Sequence, residues 1–171
     1  PKKHLFLSGL PGVGKTTLIE RLIEQAGRHR FAGFLTKEVR LAGERTGFQI
    51  LTLDGKVGRL AQHGLKSTAR VGRYGVDLEA LEQVAVAALR RALESTEWVV
   101  IDEIGKMECC CPAFRAAVLE ALDSDRRVLA TVPARPHPFV ATLCNRTDVQ
   151  LLTLTPSRRE QVLRDLLRLV G

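Results

Sequence analysis

Aromatic residues and long apolar runs are both scarce in this sequence. Phe, Trp and Tyr make up only 5% of the 171 residues, although 45% are hydrophobic and 26% are charged. No stretch approaches the ~20 consecutive apolar residues that cross a bilayer, so we expect no membrane span. The short apolar run after His4 leads into a glycine-rich segment and not into a small-residue cleavage site, so we expect no signal peptide. These features predict a single cytoplasmic domain over residues 1–171.

Cysteine pairs at metal-ligand spacing are missing as well. Three of the four cysteines are consecutive, Cys109, Cys110 and Cys111, and Cys144 lies far from them in the sequence. Structural zinc sites place paired ligands about two to four residues apart, so this arrangement predicts no zinc site. Free thiols of this kind are typical of proteins in a reducing compartment.

Acidic residues are outnumbered by basic ones. The chain has 19 Asp and Glu residues against 26 Lys and Arg residues, with a net charge of +7 and an isoelectric point near 9.7. A basic balance favours anionic partners such as free nucleotides or nucleic acid. The positive side chains are dispersed, without the run of like charges that marks a nucleic-acid tail. The charge of the chain is therefore compatible with a nucleic-acid partner but does not indicate one. For the oligomeric state, we favour a monomer.

Apolar strands alternate with helical stretches, a pattern typical of an α/β fold with a mainly parallel sheet. Strands are expected at His4–Ser8, Trp98–Ile101, Arg127–Val132 and Val149–Leu154. Helices are expected at Lys15–Gln25, Leu78–Leu93, Pro112–Leu122, Pro136–Asn145 and, capped by Thr155, from Pro156 to Val170.

The middle of the chain interrupts this alternation. Two further strands, Phe31–Arg40 and Thr46–Leu53, flank a turn at Ala42-Gly43-Glu44 and predict an antiparallel hairpin at one side of the sheet. The glycine-rich segment Val57–Asp77 predicts an irregular loop, which we take as a candidate active-site loop.

A phosphate-binding motif follows the first strand. The pattern G-x-x-x-x-G-K-[ST] is matched without a gap by Gly9, Leu10, Pro11, Gly12, Val13, Gly14, Lys15 and Thr16. Glycines let the backbone wrap a phosphate with its N–H groups pointing inward, and the following helix adds positive charge from its N-terminus. We expect Lys15 to reach the β- and γ-phosphates, Thr16 to bind Mg²⁺, and Thr17 to complete the nucleotide-binding segment.

Two carboxylates follow the apolar strand Trp98–Ile101, in the arrangement of a Walker-B motif. Asp102 is expected to hold Mg²⁺ through a bound water. Glu103 is expected to position and activate the attacking water, as in P-loop ATPases that have an extra strand between the two motifs. The predicted fold is therefore a three-layer P-loop NTPase sandwich, with a mainly parallel sheet, that extra strand and the antiparallel hairpin as an insertion.

Other polar residues give less specific signals. Thr131 ends a predicted strand, where a hydroxyl can sense the γ-phosphate, and Arg135 could bring positive charge to the transferring phosphoryl group. Other arginines compete for that role: Arg40, Arg45, Arg70, Arg73, Arg146 and Arg159. The segment Asn145–Asp148 superficially resembles the guanine-reading motif of GTPases. Because it lacks the lysine and precedes a strand, it does not predict GTP selectivity.

Five segments, in order along the chain, carry a resemblance: Gly9–Thr17, Gly33–Arg40, Arg45–Phe48, Val71–Asp77 and Val99–Glu108. They resemble the small P-loop nucleoside triphosphatases first described as thermostable NTPases, whose vertebrate member is called cancer-related nucleoside-triphosphatase. The most specific match is Ile104–Glu108, because it lies outside the generic Walker-B pattern.

The resemblance implies a Mg²⁺-dependent hydrolase that acts on several nucleoside triphosphates with weak base selectivity. It also implies that Lys106 contacts phosphate. The sequence departs from the family at Cys109–Cys111, at Lys37, and at Ser157-Arg158-Arg159, where only Arg159 matches. These departures leave the Walker residues intact and bear on base contacts.

Our sequence-based interpretation is a nucleoside triphosphatase that converts ATP, GTP, CTP or UTP to the diphosphate and phosphate. Its catalytic residues are expected to be Lys15, Glu103 and Arg135. One alternative is a nucleotide or nucleoside kinase, since the phosphate loop suits both reactions, with Val57–Asp77 closing over an acceptor. The other is a slow, nucleotide-dependent RNA-binding module.

Overall fold

A computed structural model describes residues 2–171. Its strands are β1 (His4–Gly9), β2 (Phe31–Leu41), β3 (Glu44–Thr52), β4 (Val57–His63), β5 (Arg70–Val71), β6 (Tyr74–Val76), β7 (Trp98–Ile101), β8 (Arg127–Pro133) and β9 (Val149–Thr153). Its helices are α1 (Lys15–Ala26), α2 (Leu78–Ala80), α3 (Ala87–Ser95), α4 (Pro112–Asp123), α5 (Pro138–Cys144) and α6 (Arg159–Val170). The strands form one sheet in the order β5-β6-β4-β3-β2-β7-β8-β1-β9.

The parallel half of the sheet contains both sequence motifs. β1, which leads into the phosphate loop, pairs in parallel with β8 and β9. β7, which ends at the two carboxylates, pairs in parallel with β8 and β2. β8 therefore lies between the two motif strands, and the predicted extra strand is confirmed.

The other half of the sheet is an antiparallel wing, formed by β3, β4, β6 and β5 next to β2. The predicted hairpin of β2 and β3 is its inner part. The prediction that Val57–Asp77 is irregular is wrong, because this segment contains β4, β5 and β6. Its glycines serve turns and close packing: a Cβ on Gly75 would lie 2.0 Å from the Leu65 carbonyl oxygen.

Two predicted helices differ in detail. The segment Leu78–Leu93 is helical, but a π-helical stretch at Leu81–Val86 separates α2 from α3. The C-terminal helix begins later than predicted, since Pro156–Arg158 form a 3₁₀ turn and the Thr155 side chain makes no capping hydrogen bond. Fixed φ at Pro156 suits the tight turn, and α6 then starts at Arg159.

Side chains of the parallel strands are buried on both faces of the sheet. On one face Leu5 and Leu7 pack with residues of α1 and α6, and on the other Phe6 packs with residues of α3, α4 and α5. A sheet covered on both faces explains why these strands are continuously apolar. The predicted three-layer α/β architecture is thus confirmed. Over residues 2–171, no helix combines the length and apolarity needed to cross a membrane.

Candidate active site

The phosphate loop connects the carboxyl end of β1 to the first turn of α1. Gly12 and Gly14 both have positive φ, +79° and +103°, which side chains with a Cβ rarely adopt. Gly14 is also the residue that precedes α1, so the left-handed turn aims the helix N-terminus into the loop. The loop therefore has the backbone shape that its glycine spacing predicts.

Lys15 lies at the centre of the site, with its ammonium buried. Nζ donates to the carbonyl oxygens of Gly9 at 2.7 Å and Val132 at 3.2 Å. It also lies 3.2 Å from Oε1 of Glu103. An ammonium has three N–H donors, so these three acceptors account for all of them. The acceptors come from the ends of β1 and β8 and from the residue pair after β7.

Asp102 is buried immediately after the end of β7. Its carboxylate accepts from the Thr16 hydroxyl at 2.7 Å and from the Thr131 hydroxyl at 2.5 Å. A longer bond, at 3.4 Å, comes from the Thr36 backbone N–H. Burial raises the pKa of Asp102, and the nearby charge of Glu103 adds to this, while the two hydroxyl bonds act in the opposite direction.

Glu103 lies at the more open side of the cluster. Its side chain is 27% exposed, whereas that of Lys15 is 9% exposed. The carboxylate therefore combines an ion pair on one side with access to solvent on the other. A partly exposed carboxylate beside the lysine of the phosphate loop is within reach of solvent, which a general base needs.

Glu108 is a member of the site that the sequence interpretation missed. It is 4% exposed, and no cation pairs with it anywhere in residues 2–171. A Cβ on Gly105 would lie 2.8 Å from both Glu103 Oε2 and Glu108 Oε1, so the two carboxyl groups flank this glycine. Burial, followed by the charge of Glu103, raises the pKa of Glu108 to about 8. Its signals in the sequence are its place in the segment Ile104–Glu108 and its neighbours, Met107 and three cysteines.

Thr131 contacts the acidic pair of the site. Its fully buried hydroxyl donates to the Asp102 carboxylate. The bond forms because β8 lies beside β7, which puts the ends of the two strands next to each other. Thr131 therefore orients the carboxylate that the sequence predicts as a magnesium holder.

Arg135 and Lys106 both lie on exposed turns at this edge of the sheet. Arg135 follows the end of β8, and Lys106 lies in the turn that follows Glu103. Neither side chain has a hydrogen bond or an ion pair within the described part of the chain, residues 2–171. Both residues follow strands that end at the site, and neither side chain is bonded to Lys15 or Asp102.

The other arginines considered for the phosphoryl-binding role differ in their contacts. Arg146 pairs with Asp123 and Asp148, before the start of β9 and hence at the opposite edge of the sheet from the phosphate loop. Arg45 and Arg40 pair with Glu38 on the surface. Arg159 is the one whose side chain contacts the phosphate loop: its Nε donates to the Val13 carbonyl oxygen at 3.2 Å.

The cysteines form no centre of their own. All four are free thiols, and burial raises the pKa of Cys109 to about 12. Residues 2–171 contain no group of three or more His, Cys, Asp or Glu side chains suited to a metal ion. At the phosphate loop, the Thr16 hydroxyl and the Asp102 carboxylate form an oxygen pair 2.7 Å apart.

Known proteins match this chain along almost its full length. A family model described as NTPase matches residues 4–167. Nucleoside-triphosphatase THEP1 of Thermotoga sp. (strain RQ2) is 43% identical, with 95% of this chain and 92% of that protein covered. The human cancer-related nucleoside-triphosphatase is 40% identical, covering 98% and 96%.

Solved structures agree with the sequence matches. The crystal structure of THEP1 from the hyperthermophile Aquifex aeolicus has a TM-score of 0.90 and 38% identity, covering 98% of this chain and 99% of that one. The solution structure of a human cancer-related nucleoside triphosphatase has a TM-score of 0.84 at the same identity, covering 99% and 97%. The resemblance seen in the sequence is confirmed, and this chain belongs to the NTPase family.

Proposed function

We propose that this protein is a Mg²⁺-dependent nucleoside triphosphatase that uses water as the phosphoryl acceptor. Its family gives the reaction class, hydrolysis of a nucleoside triphosphate. The observation that carries the proposal is the cluster of Lys15, Thr16, Asp102 and Glu103 at the carboxyl ends of β1 and β7. It combines a phosphate-binding cation, two oxygens for a metal, and a partly exposed carboxylate.

The oxygens of Thr16 and Asp102 fit magnesium. They lie 2.7 Å apart, and both are hard donors. Magnesium is usually held by only one or two protein groups, with waters and substrate phosphates as its remaining ligands. Thr16 would bind it directly and Asp102 through a water. The bound ion would supply positive charge to the β- and γ-phosphate oxygens.

The remaining chemistry belongs to the protein. The oxygen of a water forms a bond to the γ-phosphorus, while the bond from that phosphorus to the bridging oxygen breaks. Glu103 takes the proton that the water loses, and the products are the nucleoside diphosphate and phosphate. Lys15 stabilises the charge on the γ-phosphate. Arg135 and Lys106 are unpaired cations of residues 2–171 that we propose approach the phosphates once substrate is bound.

We propose broad use of ATP, GTP, CTP and UTP. The segment Asn145–Asp148, which resembles a guanine-reading motif, lies before β9 at the edge of the sheet opposite the phosphate loop. It therefore offers no support for a preference for GTP. We further propose a monomer in the cytoplasm, because every proposed site residue comes from one chain and all four thiols are free.

One argument for the kinase alternative no longer applies. It relied on Val57–Asp77 as a loop that closes over an acceptor, and this segment is part of the antiparallel wing. An acceptor screen decides the matter: phosphate appearing on a nucleoside, a nucleotide or a polynucleotide end would make the protein a kinase. Salt-dependent retention of RNA in a gel shift would instead support the RNA-binding alternative.

The direct test is phosphate release by the full chain with each of ATP, GTP, CTP and UTP, across a magnesium titration. The proposal predicts release from all four, which stops when EDTA is added. In ¹⁸O-labelled water the label should appear in the released phosphate. Tight nucleotide binding without release, or release that ignores EDTA, would contradict it.

A further inference from the structure

Arg159 has an unusual place for an exposed arginine. Its Nε donates to the Val13 carbonyl oxygen at 3.2 Å. The same nitrogen lies 3.8 Å from where a Cβ on Gly14 would be, so the guanidinium sits over the turn that precedes Lys15. Its four terminal N–H donors have no hydrogen-bond or ion-pair partner in residues 2–171. A charged, planar group is thus held at the rim of the loop with most of its donors free.

The N-terminal half of α1 has two distinct sides. Thr16 faces Asp102, to which its hydroxyl donates at 2.7 Å. Arg21 faces α6, where it forms a two-bond ion pair with Glu160 at 2.8 and 3.2 Å. Thr17 is exposed and lies four residues before Arg21, hence on the same face of the helix. Asp102 and Glu103 therefore lie on one side of the phosphate loop, and α6 lies on the other.

The segment before α6 is fixed tightly against the phosphate loop. The Leu154 backbone N–H donates to the Ser8 carbonyl oxygen at 2.8 Å. A Cβ on Gly9 would lie 3.1 Å from the Leu154 carbonyl oxygen, which shows how closely the two backbones approach. With the Arg21–Glu160 pair, these contacts give Arg159 a defined position relative to the loop.

We infer that Arg159 is the contact for the nucleoside end of the substrate, with its guanidinium face stacked on the base. This rests on the proposed function, which assigns the γ-phosphate to the Lys15–Asp102–Glu103 side. If the γ-phosphate lies on that side and the phosphate chain passes Thr17, the nucleoside end of the substrate lies next to Arg159. Planar guanidinium groups stack on bases of any identity, because every base has a π-face. Such a contact binds the base without hydrogen bonds to its edge. It would therefore discriminate only weakly between bases.

The test compares nucleotides with inorganic tripolyphosphate, which has the phosphates but no base. Equilibrium binding of ATP, UTP and tripolyphosphate would be measured with the full chain and Mg²⁺, using wild type, Arg159→Ala, Arg159→Lys and Arg158→Ala. We expect Arg159→Ala to weaken ATP and UTP binding by about tenfold, the size of one stacking contact. Tripolyphosphate binding should stay unchanged. Arg159→Lys, which keeps the charge but not the plane, should resemble Arg159→Ala.

Arg158→Ala is the matched control, because Arg158 is the exposed neighbour and should leave all three ligands unaffected. An equal loss of nucleotide and tripolyphosphate binding in Arg159→Ala would overturn the inference, since the residue would then act on the phosphates or on the loop. No loss for any ligand would overturn it as well. Because binding is measured without turnover, a wild type that binds nucleotide and releases no phosphate would count against the proposed function alone.

Discussion

The ammonium of Lys15 lies 3.2 Å from the Glu103 carboxylate, and its two other donors go to the carbonyl oxygens of Gly9 and Val132. The group that is proposed to bind the γ-phosphate is thus paired with the group that is proposed to activate water. A phosphate that draws Lys15 to itself competes with Glu103. Substrate binding would then leave the carboxylate free to accept a proton.

The first prediction concerns Lys15→Ala. A charged hydrogen bond is worth about 1.5–3 kcal/mol, so we expect nucleotide affinity to fall by about 10- to 100-fold and phosphate release to be lost. Lys66→Ala removes an exposed lysine of the antiparallel wing and is the control. Calorimetric titration with ATP measures the effect. Unchanged affinity in Lys15→Ala would remove this lysine from the phosphate site.

The second prediction concerns Thr131→Val, which keeps the side-chain shape but removes the hydroxyl that donates to Asp102. Losing a hydrogen bond to a buried charged group should lower the free energy of unfolding by about 1–3 kcal/mol. The magnesium concentration for half-maximal phosphate release should rise, because Asp102 is less well oriented. Thr68→Val, at an exposed position, is the control. A γ-phosphate sensor would instead show a lower kcat at an unchanged magnesium requirement.

The third prediction concerns Arg135→Ala. An arginine that neutralises the transferring phosphoryl group is worth about 10³ to 10⁵ in rate, so kcat should fall by ~10³-fold if Arg135 is that residue. Folding should be unaffected, because this side chain is exposed. Arg40→Ala, which breaks a surface pair with Glu38 and a bond to the Gly43 carbonyl oxygen, serves as the comparison. Equal rates in the two variants would mean that Arg135 has no role in the reaction.

The fourth prediction concerns pH and Glu108. Its pKa is raised from 4.5 to about 8, so the folded protein keeps this proton to a higher pH than the unfolded chain does. The stability that this group contributes is complete below pH 4.5 and is lost as the pH rises through 8. Glu108→Gln removes the titration.

Urea unfolding of both proteins between about pH 5 and about pH 8 measures the effect. Relative to wild type, Glu108→Gln should gain unfolding free energy as the pH rises, by on the order of 1–4 kcal/mol. Asp102 titrates in the same direction but is present in both proteins, so its contribution cancels. A difference that stays constant with pH would show that Glu108 is ionised throughout.

Local sequence patterns predict the centre of this fold well. The phosphate loop and the acidic pair each follow a short apolar strand, and such motifs depend on neighbours in sequence. The antiparallel wing was predicted only at its inner hairpin. Glycines mark flexible loops, tight turns and close backbone contacts alike, so Gly75 could not reveal that β6 packs against the Leu65 backbone.

The site residues that the sequence left open depend on contacts between distant segments. Thr131 meets Asp102 only because β8 lies next to β7. Arg159 meets the phosphate loop only because α6 packs on α1. Glu108 belongs to the segment that carries the most specific resemblance, but its burial beside Glu103 at Gly105 is visible only in the fold. Such contacts are properties of the tertiary fold and not of any local pattern.

The central claim is that Glu103 activates water next to a nucleotide bound by Lys15, and Glu103→Gln tests it most directly. The substitution keeps the side-chain size and removes the base. With saturating ATP and Mg²⁺, kcat should fall by about 10²- to 10⁴-fold, while ATP still binds at least as tightly as in wild type. Glu94→Gln, at an exposed position on α3, should match wild type. An unchanged kcat in Glu103→Gln would contradict the account, because the water would then be activated by another group.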